Sequence, residues 1–151
     1  LGHVTYLSED AMRTKFGREL RSGKLSFTYD TDFQIESYLR RQGHNFSSTF
    51  DANSYLLMTK ALDYFDPARE YDNNLTSCLT TAKAKFCLIS FSSDWRFPPQ
   101  RSQEIVQALI SARKQVNYIN IQSDKGHDGF LLPIEQYQTA LATYLHNSEH
   151  E

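Results

Sequence analysis

The 151 residues are enough for one ordinary domain with a buried core. Hydrophobic residues make up 40% and charged residues 23%, a globular composition that excludes a disordered chain. A net charge of -2 argues against a nucleic-acid surface, and no apolar run reaches the roughly 20 residues that cross a bilayer.

The chain opens on "LGHVTYLSED", which has neither the basic start nor the long apolar run of a signal peptide. It also lacks an initiating Met, so the expectation is a piece of a longer, cytosolic protein. Cys78 and Cys87 form no C-x-x-C pair and no zinc spacing, and read as unpaired thiols in a reducing compartment.

The first half, to about Asn74, reads as helices and loops. "SEDAMRTKFG" carries Ser8 as a cap, acids in the first turn, bases in the last and Gly17 as a stop. "TDFQIESYLRRQG" has capping-box spacing from Thr31 to Gln34, with Gly43 expected just past its end. In "DANSYLLMTKALDYFDP", Asp51 is the cap and Pro67 the close. Tyr55, Leu56, Thr59, Leu62 and Phe65 fall at helical spacing and are expected to be ordinary core.

The second half alternates. "AKFCLISF" (84–91) is a short apolar run suited to a buried strand, and "PPQRSQEIVQALISAR" is a helix with Pro99 in its first turn. "QVNYINI" (115–121) is a second strand, and "PIEQYQTALATYLHN" a closing helix. Strand, helix, strand, helix predicts an α/β layer with parallel strands.

Reactive groups in open parallel sheets gather beyond the C-terminal strand ends. Two loops qualify: "SSDWRFPP" with Asp94, and "QSDKGHDGF" with His127. A carboxylate beside an imidazole fixes its tautomer and stabilises the imidazolium, so the pair would be two members of a nucleophile–His–acid triad. The nucleophile is missing: no G-x-S-x-G occurs, so it is expected upstream of Leu1. Two plainer readings stand beside this one. Asp94 could merely cap the helix after it, and Asp94, Asp124, His127 and Asp128 could hold a metal, although no H-x-H or H-E-x-x-H spacing supports that. His3, His44, His146 and His150 have no strand-end context, and neither a P-loop nor a G-x-G-x-x-G is present.

"SFSSDWRFPPQRSQEIVQAL" followed by "SDKGHDGFLLP" resembles the C-terminal part of the homoserine O-acyltransferases, most commonly acetyltransferases. "LGHVTYLSEDAMRTKFGR" and "FQIESYLRRQGHNFSSTFDANSYLLMTKALDYFD" fit the same family's lid, and the resemblance runs to about Leu145. It implies the C-terminal portion of an α/β-hydrolase fold: residues 1–75 a helical lid segment, and residues 76–151 the last strands and helices of the core. It implies Asp94 as catalytic acid, His127 as catalytic base, Asp128 holding the homoserine substrate and Tyr6 lining the same site. An Arg that the family places before this motif would precede Leu1.

The implied reaction is ping-pong transfer from acyl-CoA, a co-substrate, to the L-homoserine hydroxyl in methionine biosynthesis, with no cofactor and no metal. An acetyl donor is the first expectation and a succinyl donor the alternative, the choice resting mainly with residues upstream. An esterase of the same fold, or a non-catalytic oligomerisation module, are the competing functions. The implied partners are the N-terminal part of the same protein and a second copy bound through the lid helices, with neither nucleic acid nor membrane. Without serine and oxyanion donors, the chain alone is expected to be inactive, and its two strands to leave an open sheet edge.

Overall fold

A computed structural model describes residues 2–149. Its first helices are α1 (Gly2–Thr5), α2 (Glu9–Lys15), α3 (Gln34–Thr49), α4 (Ala52–Tyr64) and α5 (Leu75–Leu79). Strand β1 (Phe86–Phe91), helix α6 (Pro99–Ser111), strand β2 (Val116–Ile121) and helix α7 (Glu135–Glu149) follow. Two compact units result: Leu1–Ala11 with Pro67–Glu151, and Met12–Asp66.

In the first unit β1 and β2 pair in parallel, in register from Phe86 opposite Val116 to Phe91 opposite Ile121. Parallel neighbours need a crossover, and α6 supplies it. Pro99 at its first position costs nothing there, because that N–H has no intrahelical partner. The Lys114 backbone N–H donates to Leu109 O (2.9 Å), turning the chain into β2. The Lys114 ammonium holds the segment before β1 through the carbonyls of Thr80 and Ala82. Leu109 and Ile121 are fully buried, with Phe91 and Ala108 nearly so. Burying each of the larger side chains contributes roughly 1.5–3 kcal/mol. Helix α7 packs on β2, and Tyr137 meets Phe91 edge-on with ring centroids 5.4 Å apart. Helix α5 lies against α6; its cap, Asn74, accepts from Ser77 N (3.0 Å).

The buried strand expected at 84–91 is buried only at its end: Ser90 and Phe91 are covered, while Phe86 to Ile89 are half-exposed. β1 and β2 form a two-stranded sheet among the described residues, so no third strand covers them. A cleft of about 670 Å³ runs along the start of both strands beside Ala140, Tyr144 and Ser148 of α7.

In the second unit, α3 differs from expectation. It runs through Gly43 to Thr49 instead of stopping. A glycine costs about 1 kcal/mol inside a helix, which the turns beyond it outweigh, with Phe46 stacked on Phe50 at 4.8 Å. Its start also shifts: Glu36 accepts from the N–H groups of Asp32 and Phe33, both 2.9 Å, which is half a capping box two residues later than Thr31–Gln34, since Phe33 has no side-chain acceptor. Asp51 caps α4 as expected, accepting from Ser54 N at 2.7 Å, and that bond holds its carboxyl below the ordinary value. Gly17, in the left-handed region (φ 48°), follows the end of α2 as expected. The aromatic and aliphatic stripe of α4 is not core in this chain. Tyr55, Leu56, Leu57, Met58, Leu62 and Phe65 are all more than half exposed.

Candidate active site

The register decides the site. Phe91 and Ile121 are the last paired residues, so both strands release their loops at one edge. The loops are then stitched together. Ser92 N donates to Ile121 O (2.9 Å), Ser92 Oγ to Ser123 O (3.1 Å), and Ser123 N back to Ser92 Oγ (3.0 Å). Ser93 Oγ accepts from Gly126 N at 2.9 Å, one residue before His127. Two serine side chains, Ser92 and Ser93, thus set the spacing of the two loops.

Asp94 and His127 meet. The carboxylate oxygen Oδ2 lies 2.8 Å from His127 Nδ1, with Asp94 buried and the His side chain 22% exposed. A carboxylate only accepts, so Nδ1 carries the proton and Nε2 is the basic nitrogen. Nε2 makes no hydrogen bond to the described residues and is the atom left for chemistry. The other oxygen, Oδ1, accepts from Arg96 N (3.0 Å) and Phe97 N (2.9 Å). Asp94 therefore holds a turn, and does not cap α6, whose capping position is Pro98. Both oxygens are engaged, which fixes the carboxylate plane and through it the imidazole.

Aromatic rings close around the His127 imidazole. The His127 centroid is 5.3 Å from Tyr6, 5.0 Å from Phe97 and 5.5 Å from Phe130. Tyr6 reaches this place because its segment is clamped on the His loop. Its carbonyl accepts from Asp128 N (3.2 Å), and Ser8 Oγ donates to Asp124 O while accepting from Ala11 N to cap α2. Gly126 makes this approach possible. It has φ 72°, and a Cβ there would lie 2.6 Å from Ser8 N and 2.7 Å from Tyr6 O. The Arg96 guanidinium stacks over Tyr6 at 4.8 Å and over Phe97 at 5.6 Å.

The four residues implied by the resemblance thus stand in one place: Asp94, His127, Tyr6, and Asp128 directly after His127. The Asp128 carboxylate is half-buried and takes no hydrogen bond from the described residues. Asp124, in contrast, pairs with Lys125 (2.8 Å), which holds its carboxyl below the ordinary value. No group of three side chains among the described residues is arranged to hold a metal. Gly126, Phe97, Phe130 and Arg96 were not singled out; only the glycine before the His, and the basic residue two places after the acid, could have signalled them. His150 lies outside the described residues. Cys87 sits near the start of β1, so the strand's length of roughly 3.3 Å per residue separates it from His127.

Comparison with known proteins fits this geometry. The chain is 56% identical over 150 residues to the homoserine O-succinyltransferase of Acinetobacter baumannii (strain AYE), matching 99% of this chain and 39% of that protein. It is 58% identical over 151 residues to the one from Litchfieldella anticariensis, matching 100% of this chain and 39% of that protein. Over its whole length the chain is similar to a portion of the homoserine O-acyltransferases. It spans about two-fifths of the length of these relatives. No family model matches it. The crystal structure of a homoserine O-acetyltransferase from Bacillus anthracis superposes with a TM-score of 0.72 at 20% identity, over 83% of this chain and 34% of that one. That likeness shows the fold of this chain, a portion of an α/β-hydrolase fold.

Proposed function

We propose that this chain is the acid-and-base portion of a homoserine O-acyltransferase, and that the nucleophilic serine and the oxyanion donors come from the preceding portion of the same protein. The observation that carries this reading is the Asp94–His127 pair at 2.8 Å, with Nε2 unengaged and Asp128 directly after the base. In the first half-reaction His127 Nε2 takes the serine proton as the serine oxygen attacks the acyl thioester. Asp94 stabilises the imidazolium, which then protonates the departing CoA thiolate. In the second, the homoserine hydroxyl gives its proton to Nε2 and attacks the acyl-serine ester. The serine leaves with that proton, and O-acylhomoserine is released. The Asp128 carboxylate pairs with the homoserine ammonium, and Tyr6 forms a wall of the same pocket. Acyl-CoA is a co-substrate, and no metal or redox cofactor takes part.

Between donors, the names of the relatives sharing more than half their residues with this chain support succinyl-CoA over the acetyl donor first expected. The lid reading covers residues 1–75 and the core reading residues 76–151; the separate compact unit Met12–Asp66 supports a helical segment set apart within the first, while residues 1–11 and 67–75 cluster with the rest of the chain. The exposed stripe of α4 supports a homodimer formed through the lid helices; Leu62→Glu should shift the full-length protein toward monomer in sedimentation. No described helix is long and apolar enough to cross a membrane, in keeping with a cytosolic enzyme of methionine biosynthesis.

The test is homoserine-dependent release of CoA by the full-length protein. Asp128→Ala should abolish transfer to homoserine while sparing slow hydrolysis of the acyl-enzyme. Undiminished transfer would remove Asp128 from the acceptor site, whereas wild-type CoA release that does not depend on homoserine would leave an esterase. Residues 1–151 alone should give no transfer.

A further inference from the structure

Among the described residues three polar side chains are buried: Ser8, Ser90 and Asp94. Asp94 is accounted for by its bond to His127, and Ser90 by its bonds across the strands to Tyr118 (2.9 Å) and Asn120 (3.0 Å). Ser8 lies on neither strand loop, and its hydroxyl is used twice. It accepts from Ala11 N at 3.1 Å, which caps α2, and it donates to Asp124 O, 116 residues away. A hydroxyl has one proton to give. The incoming Ala11 N–H occupies a lone pair, which leaves that proton for the carbonyl.

The bond to Asp124 belongs to a set that fastens the loop on both sides of His127. Asp124 is held through its carbonyl by Ser8, Gly126 through its N–H by Ser93 Oγ (2.9 Å), and Asp128 through its N–H by Tyr6 O (3.2 Å). Two of the three partners come from residues 6–8, which run so close to Gly126 that a Cβ there would meet Ser8 N at 2.6 Å. The same short segment carries Tyr6, whose ring meets the imidazole at 5.3 Å. Losing the Ser8 hydroxyl deprives a part-buried carbonyl of its donor and frees the loop that anchors the imidazole.

We propose that Ser8 is a positioning residue of the acyl-transfer site: its hydroxyl, oriented by capping α2, pins the Asp124 carbonyl and so keeps the His127 imidazole registered on Asp94 and Tyr6. This rests on the acyltransferase reading above, and adds to it a residue that touches no reacting atom.

The experiment uses the full-length protein and two readouts. One is kcat for homoserine-dependent CoA release; the other is the low-field proton resonance of His127 Nδ1, assigned by its loss in His127→Gln. Ser8→Ala should lower kcat roughly 10- to 100-fold, the scale of an ångström-sized misplacement, with KM for homoserine changed little. It should also shift or weaken the resonance. Ser8→Gly, a residue that helix starts tolerate, removes the donor at least cost to α2 and should behave like Ser8→Ala. Ser8→Thr keeps both cap and donor, and should restore most of the rate and the resonance. In an Asp94→Asn background Ser8→Ala should cost less than about threefold more, because the pair it serves is already broken. A residue that only stabilises the fold would give the same proportional loss in both backgrounds, and that result would overturn the proposal. So would an unchanged kcat in Ser8→Ala and Ser8→Gly, or a resonance that is unchanged in them or missing from wild type. Wild-type protein that transfers no acyl group to homoserine sinks the acyltransferase reading instead, and the resonance in wild type, Ser8→Gly and Ser8→Thr then decides the proposal.

Discussion

Replacing Asp94 by Asn tests the acid–base pair with the least disturbance of shape. The side-chain oxygen of Asn can still accept from Arg96 N and Phe97 N, so the turn that Oδ1 holds at 3.0 and 2.9 Å survives. The amide then points its NH₂ at His127 Nδ1, which must become an acceptor. The proton moves to Nε2, and the base is lost in its resting tautomer. The stabilised ion pair goes as well. At 2.8 Å and an effective dielectric constant of about 20, opposite unit charges attract by about 6 kcal/mol. At ~1.4 kcal/mol per decade this bounds the loss at about four decades in kcat. The imidazolium is only partly formed in the transition state, so the expected fall in the full-length protein is about 10³- to 10⁴-fold. Release of CoA thiol gives the rate, and thermal melting gives the control, with Tm within a few degrees of wild type. His127→Gln should be as slow, and Asp94→Asn added to it should cost little more. A fall of less than tenfold with Tm unchanged would refute the reasoning, because it would mean that Nε2 is basic without the carboxylate.

Two further outcomes follow from the surrounding structure. Gly126→Ala should destabilise the full-length protein by at least ~1–2 kcal/mol in urea unfolding and reduce kcat. A Cβ at φ 72° is strained, and it would lie 2.6 Å from Ser8 N, which prises Tyr6 off the base. Wild-type stability would refute it. Asp51→Ala should reduce α4 helicity at neutral pH, because the Asp51 carboxylate accepts the Ser54 N–H. That bond lowers the folded-state pKa, so its stabilisation is full above the ordinary value near 3.8 and fades as pH falls through the depressed one. The wild-type and variant circular-dichroism curves should therefore converge as pH falls below the lowered Asp51 pKa, and a constant gap would contradict the cap.

The sequence by itself determined most of the elements and named residues that the structure brings together. Short apolar runs at 84–91 and 115–121, each followed by a capped or proline-started helix, leave a parallel pair as the reading. A strand must emit its loop at its C-terminal end, so Asp94 and His127 were legible as candidates before any contact was known. Helix starts were legible too where a short side chain can cap locally, as at Ser8 and Asp51.

The tertiary structure decided the rest, because it turns on distances between residues far apart in the chain. Gly43 reads as a stop, yet its cost of about 1 kcal/mol is overridden by the helical turns that follow. The α4 stripe reads as core, but no local pattern says what covers it, and in this chain its side chains are exposed. Only the in-register end of β1 and β2 brings Asp94 Oδ2 within 2.8 Å of Nδ1 across 33 residues. Only the fit of residues 6–8 against a side-chain-free Gly126 places Tyr6 on the imidazole and Arg96 on Tyr6. Sequence names the groups able to do the chemistry; backbone register and close packing decide which of them share a pocket, because hydrogen bonding and proton transfer act only over about 3 Å.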